Sequence, residues 1–394
     1  MDTALEFRGF IFAVAVGMAL GSMSPAFASS GRTAAYLVDL NSKQTTNLGS
    51  FGGRDTYASA INDAGQVVGG SGTVEGEFHA FITGPNGVGM TELLGTLGGN
   101  YSNALGINDA GQVVGLFTTA EGKTHGFITG PNGVGMVDLG ASLKPNGINN
   151  SGQVVGTYCL DPCPYPHEQS AFITGPNGMG VTFLGTLDQG HIEGSRGFDS
   201  VASAINDAGQ VAGYSGAGFQ HAFVTGSNGA GMIDLGTLGN GYRSYAYAIN
   251  DAGQVVGSSE VVDSASYTHA FITGPNGEGM TDLGSLGGYL SEARAINDTG
   301  QVAGFFFASG DRENHAFVTG PNGEGMADLN SLVSVPHTLL LTSAAGINDH
   351  GQVIVQASAI PEPESYVLML AGLALAGVMA RRRRIPAGYP LTRD

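Results

Sequence analysis

The residues with the most chemical potential in this chain recur at a near-fixed spacing. An Asn-Asp pair stands at Asn62-Asp63, Asn108-Asp109, Asn206-Asp207, Asn250-Asp251, Asn297-Asp298 and Asn348-Asp349, with Asn149-Asn150 as the one variant. Asx side chains bond nearby backbone amides, so the pair is expected to cap its own turn. The alternative is calcium at Asp63, Asp109, Asp207, Asp251, Asp298 and Asp349. Calcium wants six to eight oxygens, and one carboxylate per turn supplies few of them. No cofactor is therefore expected. Five histidines recur as well, at His79, His125, His221, His269 and His315. Imidazoles bind transition metals, but one copy lacks its histidine, which favours a structural role in hydrogen bonds between repeats.

Cys159 and Cys163 are the only cysteines, and they share a proline-rich insertion, Thr157 to His167. In an oxidising compartment a local Cys159–Cys163 disulfide is expected; with His167 they would make a poor metal site. A polar stretch from Asp188 to Asp199 is also non-repetitive. Loops on a rigid scaffold often carry recognition, so these two segments are candidates for it. No G-x-S-x-G, H-E-x-x-H or phosphate loop is present. Paired carboxylates matter only at the right spatial separation. No catalytic set is assigned.

The elements that must position these residues follow from the glycine content. The 394 residues include 66 glycines and no tryptophan, and only 12% are charged. Collagen needs a Gly-X-Y period, which is absent. Disorder needs a shortage of apolar residues, whereas 42% are hydrophobic. Long helices are disfavoured by glycine's cost of about 1 kcal/mol per interior site. An all-β protein with many tight turns remains. The net charge of −18 argues against nucleic acid, whose binding depends on neutralising phosphates.

The phrase Ile-Asn-Asp-Ala-Gly-Gln-Val-Val-Gly, or a close variant, begins at 61, 107, 148, 205, 249, 296 and 347. A second phrase, His-Ala-Phe-Ile-Thr-Gly-Pro-Asn-Gly in its fullest form, follows each of the first six. Each unit reads as four strands; in the fifth copy they are about 243–250, 254–259, 268–274 and 280–286. Asn250-Asp251-Ala252-Gly253 suits a type I turn with a left-handed glycine, and Pro275-Asn276-Gly277 suits a second turn. Units of roughly 48 residues with four strands match β-propeller blades. Residues 35–53 align without a gap on 270–288, with eight identities. The chain thus opens on the second half of a unit and ends on the first half of another. The expected fold is a seven-bladed all-β propeller, its ring closed by a blade shared between the two ends, which removes exposed sheet edges.

Both ends carry processing signals. Arg8 precedes an apolar run, 9–20, and Ala26-Phe27-Ala28 is an A-x-A pattern placing signal-peptidase cleavage before Ser29. At the other end Pro361-Glu362-Pro363 precedes a 15-residue apolar run, 366–380, and then Arg381-Arg382-Arg383-Arg384. Such a helix would span about 22 Å, less than a bilayer core of about 30 Å. The arginines would stay cytoplasmic, with the preceding domain outside. The organisation read from this is a signal peptide at 1–28, a repeat domain at 29–358, a sorting segment at 359–384 and a cytoplasmic tail at 385–394. Residues 29–360 alone carry 28 acidic and 9 basic groups.

The C-terminal tripartite segment resembles the PEP-CTERM sorting signal of Gram-negative bacteria. That resemblance implies recognition by exosortase, transient inner-membrane anchoring, and release or attachment outside the cell. It departs from the usual pattern in the extension 385–394. The repeats resemble the extracellular HAF-repeat family through the triplets at 79–81, 221–223, 269–271 and 315–317. Together the resemblances imply a secreted or surface protein associated with extracellular polysaccharide, matrix or biofilm. A non-catalytic module is the expected function. The alternatives are a polysaccharide hydrolase or lyase using the propeller channel, favoured by two carboxylates and a basic group there, and a multivalent lectin-like binder, favoured by aromatic groups repeated at one exposed position.

Overall fold

A computed structural model of the chain describes residues 33–93, 98–159, 169–187, 199–216, 219–262, 266–310, 313–336 and 338–360. The signal-peptide residues Ala26, Ala28 and Ser29, the sorting residues Pro361, Glu362, Pro363 and Arg381 to Arg384, and Cys163 lie outside the described residues.

The described chain is β throughout apart from short helical turns. In the fifth unit the strands are Ser244–Ile249, Val255–Val262, Ser266–Thr273 and Met280–Gly284, paired antiparallel in that order. Two run longer than the sequence predicts, because the second and third strands continue their ladder through Val262↔Ser266. Units three, four and six form similar four-stranded sheets. Units one and two are joined into one eight-stranded sheet by a single parallel bridge, Phe78↔Tyr101. In the sixth unit the fourth strand shrinks to Ala327–Asp328 and gives way to a helical turn, Leu329–Leu332.

The split unit assembles as the repeat alignment requires. Thr33–Asp39 pairs with Gln352–Ala359 along seven residues, from Thr33↔Ser358 to Asp39↔Gln352. The sheet order is Thr45–Asn47, Thr33–Asp39, Gln352–Ala359, Leu339–Ile347. Two strands from each end make one sheet.

Turn chemistry fixes these sheets locally. Gly253 sits at φ 73°, and its N–H donates to the Asn250 carbonyl while Asn250 N–H donates to the Gln254 carbonyl. That is the three-residue connection with a left-handed glycine. The second turn places Asn276 at φ 56° and Gly277 at φ 77°. The fourth copy has Ser227 in place of proline, yet Asn228 keeps φ 55°. The Asn-Gly pair, which tolerates positive φ, is what the turn demands.

The core is layered between sheets. Phe81, Phe127, Phe172, Phe223, Phe271 and Phe317, one from each of units one to six, are fully buried. Each packs among valines and isoleucines of its own and neighbouring units, as Phe271 does with Val255, Ile249 and Val224. Stitches cross the junctions: Ser244 Oγ accepts the N–H of Ala222, and Ser291 Oγ that of Ala270.

Candidate functional site

The Ile-Asn-Asp turns of six copies and the Ile-Asn-Asn turn of the third meet at one open-mouthed cavity. Each asparagine there is buried and spends its amide fully. Asn250 Oδ1 accepts the N–H of Gln254, and its Nδ2 donates to Gln254 Oε1 at 2.9 Å and to the Asn297 carbonyl of the next unit at 3.0 Å. The same donation runs from Asn62 to 108, 149, 206, 250, 297 and 348, and Asn348 Nδ2 returns to the Asn62 carbonyl at 3.0 Å. The circuit has no loose end.

The carboxylates do something the sequence reading did not anticipate. The expected own-turn cap belongs to the asparagine alone. Each acidic side chain instead accepts a backbone N–H from the preceding unit: Asp109 from Asp63, Asp251 from Asp207, Asp298 from Asp251, Asp349 from Asp298, and Asp63 from Asp349. Asp207 accepts from Asn150 in the same way. The result is a crown of six carboxylates and one amide. Asn150 Nδ2 donates to Asp109 at 2.7 Å and to Asp207 at 2.9 Å, bridging the two acids beside it.

The other junctions have no such amide. Burial on their flanks, and then the neighbouring carboxylates, hold Asp251 and Asp349 above the usual carboxylate range, although their side chains still meet solvent at the rim. A carboxyl with a raised folded-state pKa contributes stability that is full below its unfolded pKa and lost as pH rises through the folded value. At neutral pH, then, Asp251 is a burden. Asp251→Asn should raise the melting temperature near pH 7, with the advantage shrinking toward pH 4, because the new amide can bridge its neighbours as Asn150 does. A melting series over pH reads this directly.

The cavity lining consists of isoleucine, asparagine and aspartate. It brings together carboxylates without a basic group, so only half of the condition set for a channel enzyme is present. Among the described residues no three His, Cys, Asp or Glu side chains gather as a metal site.

The histidines lie elsewhere, and the acid partner of each lies within its own unit rather than across a junction. Nδ1 of His125, His221, His269 and His315 each meets the aspartate 13 residues later, Asp138, Asp234, Asp282 and Asp328, at 2.9–3.0 Å. His79 meets Glu92 instead, at 2.8 Å. In the third unit both partners change together, to Ser170 and Phe183, and Phe183 packs edge-on against Tyr158 at 5.1 Å. The pair ties the third strand to the fourth.

The insertions are only partly placed. Cys159 is buried at the end of its strand. Asp199, the last residue of the polar stretch, is buried and accepts the N–H of Gln169. It is a structural group.

A further feature had no sequence signal beyond variability. Each first strand carries a one-residue bulge, and the bulged residue differs in nearly every unit: Ser59, Leu105, Asn146, Ser203, Tyr247, Arg294 and Ala345. Around two of them an aromatic train crosses three units. Tyr214 meets Tyr245 edge-on at 5.1 Å, Tyr245 stacks with Tyr247, and the Arg294 guanidinium lies 4.3 Å from the Tyr247 ring centre. Burial pushes the three phenols up, so they stay neutral hydrogen-bonding groups.

Comparison with known proteins adds one motif and one fold. The PEP-CTERM protein-sorting motif matches residues 359–384. No curated protein matches the chain. Among solved structures, a prolyl endopeptidase is similar at 11% identity and TM-score 0.51, over 72% of this chain and 44% of that one. The β-propeller domain of the Trilobed protease from Pyrococcus furiosus is similar at 9% identity and TM-score 0.49, over 77% and 90%. A putative TolB from Agrobacterium tumefaciens is similar at 10% and 0.46, over 85% and 100%. At these identities the likeness is one of fold alone. The chain is an all-β protein of four-stranded antiparallel sheets resembling β-propellers, and its PEP-CTERM motif marks it for exosortase processing and for export to the cell envelope or beyond.

Proposed function

We propose that the mature protein is a seven-bladed propeller closed by a blade shared between its ends, serving outside the cell as a non-catalytic binding component of polysaccharide matrix or biofilm. The observation that carries this reading is the closed asparagine circuit with its carboxylate crown. Those repeated polar groups are spent on one another's backbones, so they serve as architecture. Recognition then falls to non-repeated groups displayed on a rigid ring. Sorting to the envelope supplies the setting, and the likeness of the repeats to the extracellular HAF-repeat family agrees with it. The six acidic groups need no calcium in this reading.

The processed protein, screened against neutral, acidic and aminated polysaccharides with binding and product release both scored, should bind without releasing product. Released oligosaccharide would establish the hydrolase or lyase reading instead.

Processing is proposed to follow both terminal signals. Signal peptidase cuts after Ala28, the tail holds the chain briefly in the inner membrane, and exosortase removes that tail. A Cys159–Cys163 disulfide forms on export. One intact-mass measurement checks these steps. The exported form should begin at Ser29, lack Arg381 to Arg384, and be two hydrogens lighter than its sequence mass; retention of the arginines would contradict removal of the tail.

A further inference from the structure

Within one chain the repeats serve as their own controls. Two residues before the histidine position, units one, two, three and six carry Glu77, Lys123, Glu168 and Glu313. These are the charged residues that a solvent-facing site calls for. Units four and five carry Phe219 and Tyr267 there instead. Eight residues before the circuit asparagine, the fifth and sixth units carry Tyr242 and Tyr289, where the first two have Arg54 and Asn100. At the junction of units four and five the substitutions meet, Phe219 with Tyr242, and the next junction sets the Tyr289 backbone beside Thr268, the neighbour of Tyr267.

These rings are not core. Phe219 is 61% exposed, Tyr242 56% and Tyr289 52%. Phe219 and Tyr242 lie 5.3 Å apart with planes inclined by 30°, forming one wall of an open cleft. Arg243, Glu260, Tyr267 and Thr268 complete it. Glu260 Oε2 accepts the Tyr242 N–H at 3.3 Å, which orders the carboxylate, and Arg243 makes no ion pair among the described residues. One unit further on, Tyr289 stacks on Phe307 at 5.3 Å, and its carbonyl accepts the N–H of Thr268. Thr268 thus links the two aromatic platforms.

Exposed aromatic faces beside ordered polar groups form the pattern of a ligand site. A pyranose ring is its chemical complement. One face is a sheet of C–H groups that lies flat on an aromatic ring, and its rim of hydroxyls matches a carboxylate acceptor and a guanidinium donor set. Two platforms at equivalent places on adjacent units suit a linear chain better than a single sugar. Arg243 and Glu260 together leave the cleft neutral, and residues 29–360 carry 28 acidic against 9 basic groups, so a polyanion would be repelled. We propose that this cleft binds a linear, uncharged polysaccharide, with Phe219 and Tyr242 as the stacking platform and Tyr289 extending it. The proposal rests on the binding role proposed above.

The test is affinity electrophoresis of the processed protein in gels containing hydroxyethyl cellulose, dextran or sodium alginate. The wild type should be retarded by a neutral polymer and not by alginate. Phe219→Glu and Tyr242→Asn introduce residues that other units carry at those positions, so they should fold and melt like the wild type. Each should weaken binding by about tenfold, the scale of a central contact residue. Tyr289→Asn should weaken binding to long chains more than to short oligosaccharides. Unchanged retardation of the Phe219 and Tyr242 variants beside a binding wild type would overturn the cleft and leave the binding role standing. Retardation of the wild type by alginate alone would overturn the neutral class, and retardation by none of the polymers would overturn the binding role itself.

Discussion

Deleting Thr33 to Leu48 is expected to abolish the cooperative monomer. That segment supplies half of the shared sheet, including the full pairing of Thr33–Asp39 with the last strand. It also buries Ala35, Leu37, Val38 and Leu48. Burying a Val or Leu side chain stabilises by about 1.5–3 kcal/mol, so these side chains alone rival the total stability of about 5–15 kcal/mol typical of a domain. The deletion would also strip Gln352–Ala359 of a partner and leave an apolar edge open to other chains. Size-exclusion chromatography should show oligomers or aggregate, and thermal unfolding should lose its sharp transition. A permuted chain that joins residue 360 to residue 33 through a short linker and opens at another junction should fold as a monomer. A sharp monomeric transition in the deleted chain would show that the shared sheet is dispensable.

The second large effect is expected at Asn250. Alanine there removes three hydrogen bonds at once and leaves the Gln254 N–H without its acceptor in a buried turn. A buried group left unsatisfied costs about 1–3 kcal/mol, so Asn250→Ala should lower stability by about 2–4 kcal/mol, readable as a lower midpoint in urea at unchanged slope. Asn250→Asp is the sharper experiment because it keeps the shape. Its second oxygen would point at the Asn297 carbonyl, where an N–H now donates. Burial and the crown would hold this new carboxyl protonated to higher pH, so the deficit should be largest at neutral pH and shrink in acid. Asp251→Asn should move in the opposite direction one residue away. If the two substitutions shift stability in the same sense, the division of labour between asparagine and aspartate is wrong.

The contrast between those two residues shows where the sequence was readable and where it was not. Strand order, turn positions and the split unit follow from a repeat that places Asn250, Gly253 and the Pro-Asn-Gly turn at the same offsets each time. Such offsets encode contacts within a unit. Contacts between units depend on how neighbouring sheets are inclined, and a period alone carries no record of that. The reach of each aspartate to the preceding turn was therefore invisible, whereas the histidine's partner inside its own unit was readable in the acid that recurs 13 residues later. Ser170 with Phe183 did hold a legible clue, since both members of the His–Asp pair change in the same unit. The aromatic cleft was legible only after the junction brought position 219 beside position 242. Departure from the residue class that most units keep is the signal at Ser170, at Phe183 and at Phe219.

The seam described by Thr33↔Ser358 also sets an order of events. The first of the described strands finds its main partner in the last of them, so the proposed ring would not be completed while any part of that domain is still awaiting synthesis or passage. On the export proposed above, an open, unlatched string of sheets would pass a narrow pore that a finished ring would not. When the final strand emerges, the sorting motif begins within it at residue 359. On the processing proposed above, latching of the shared sheet and presentation of the tail to the processing enzyme would happen at one place, and the sheet would act as a clasp that shuts only on the far side of the membrane.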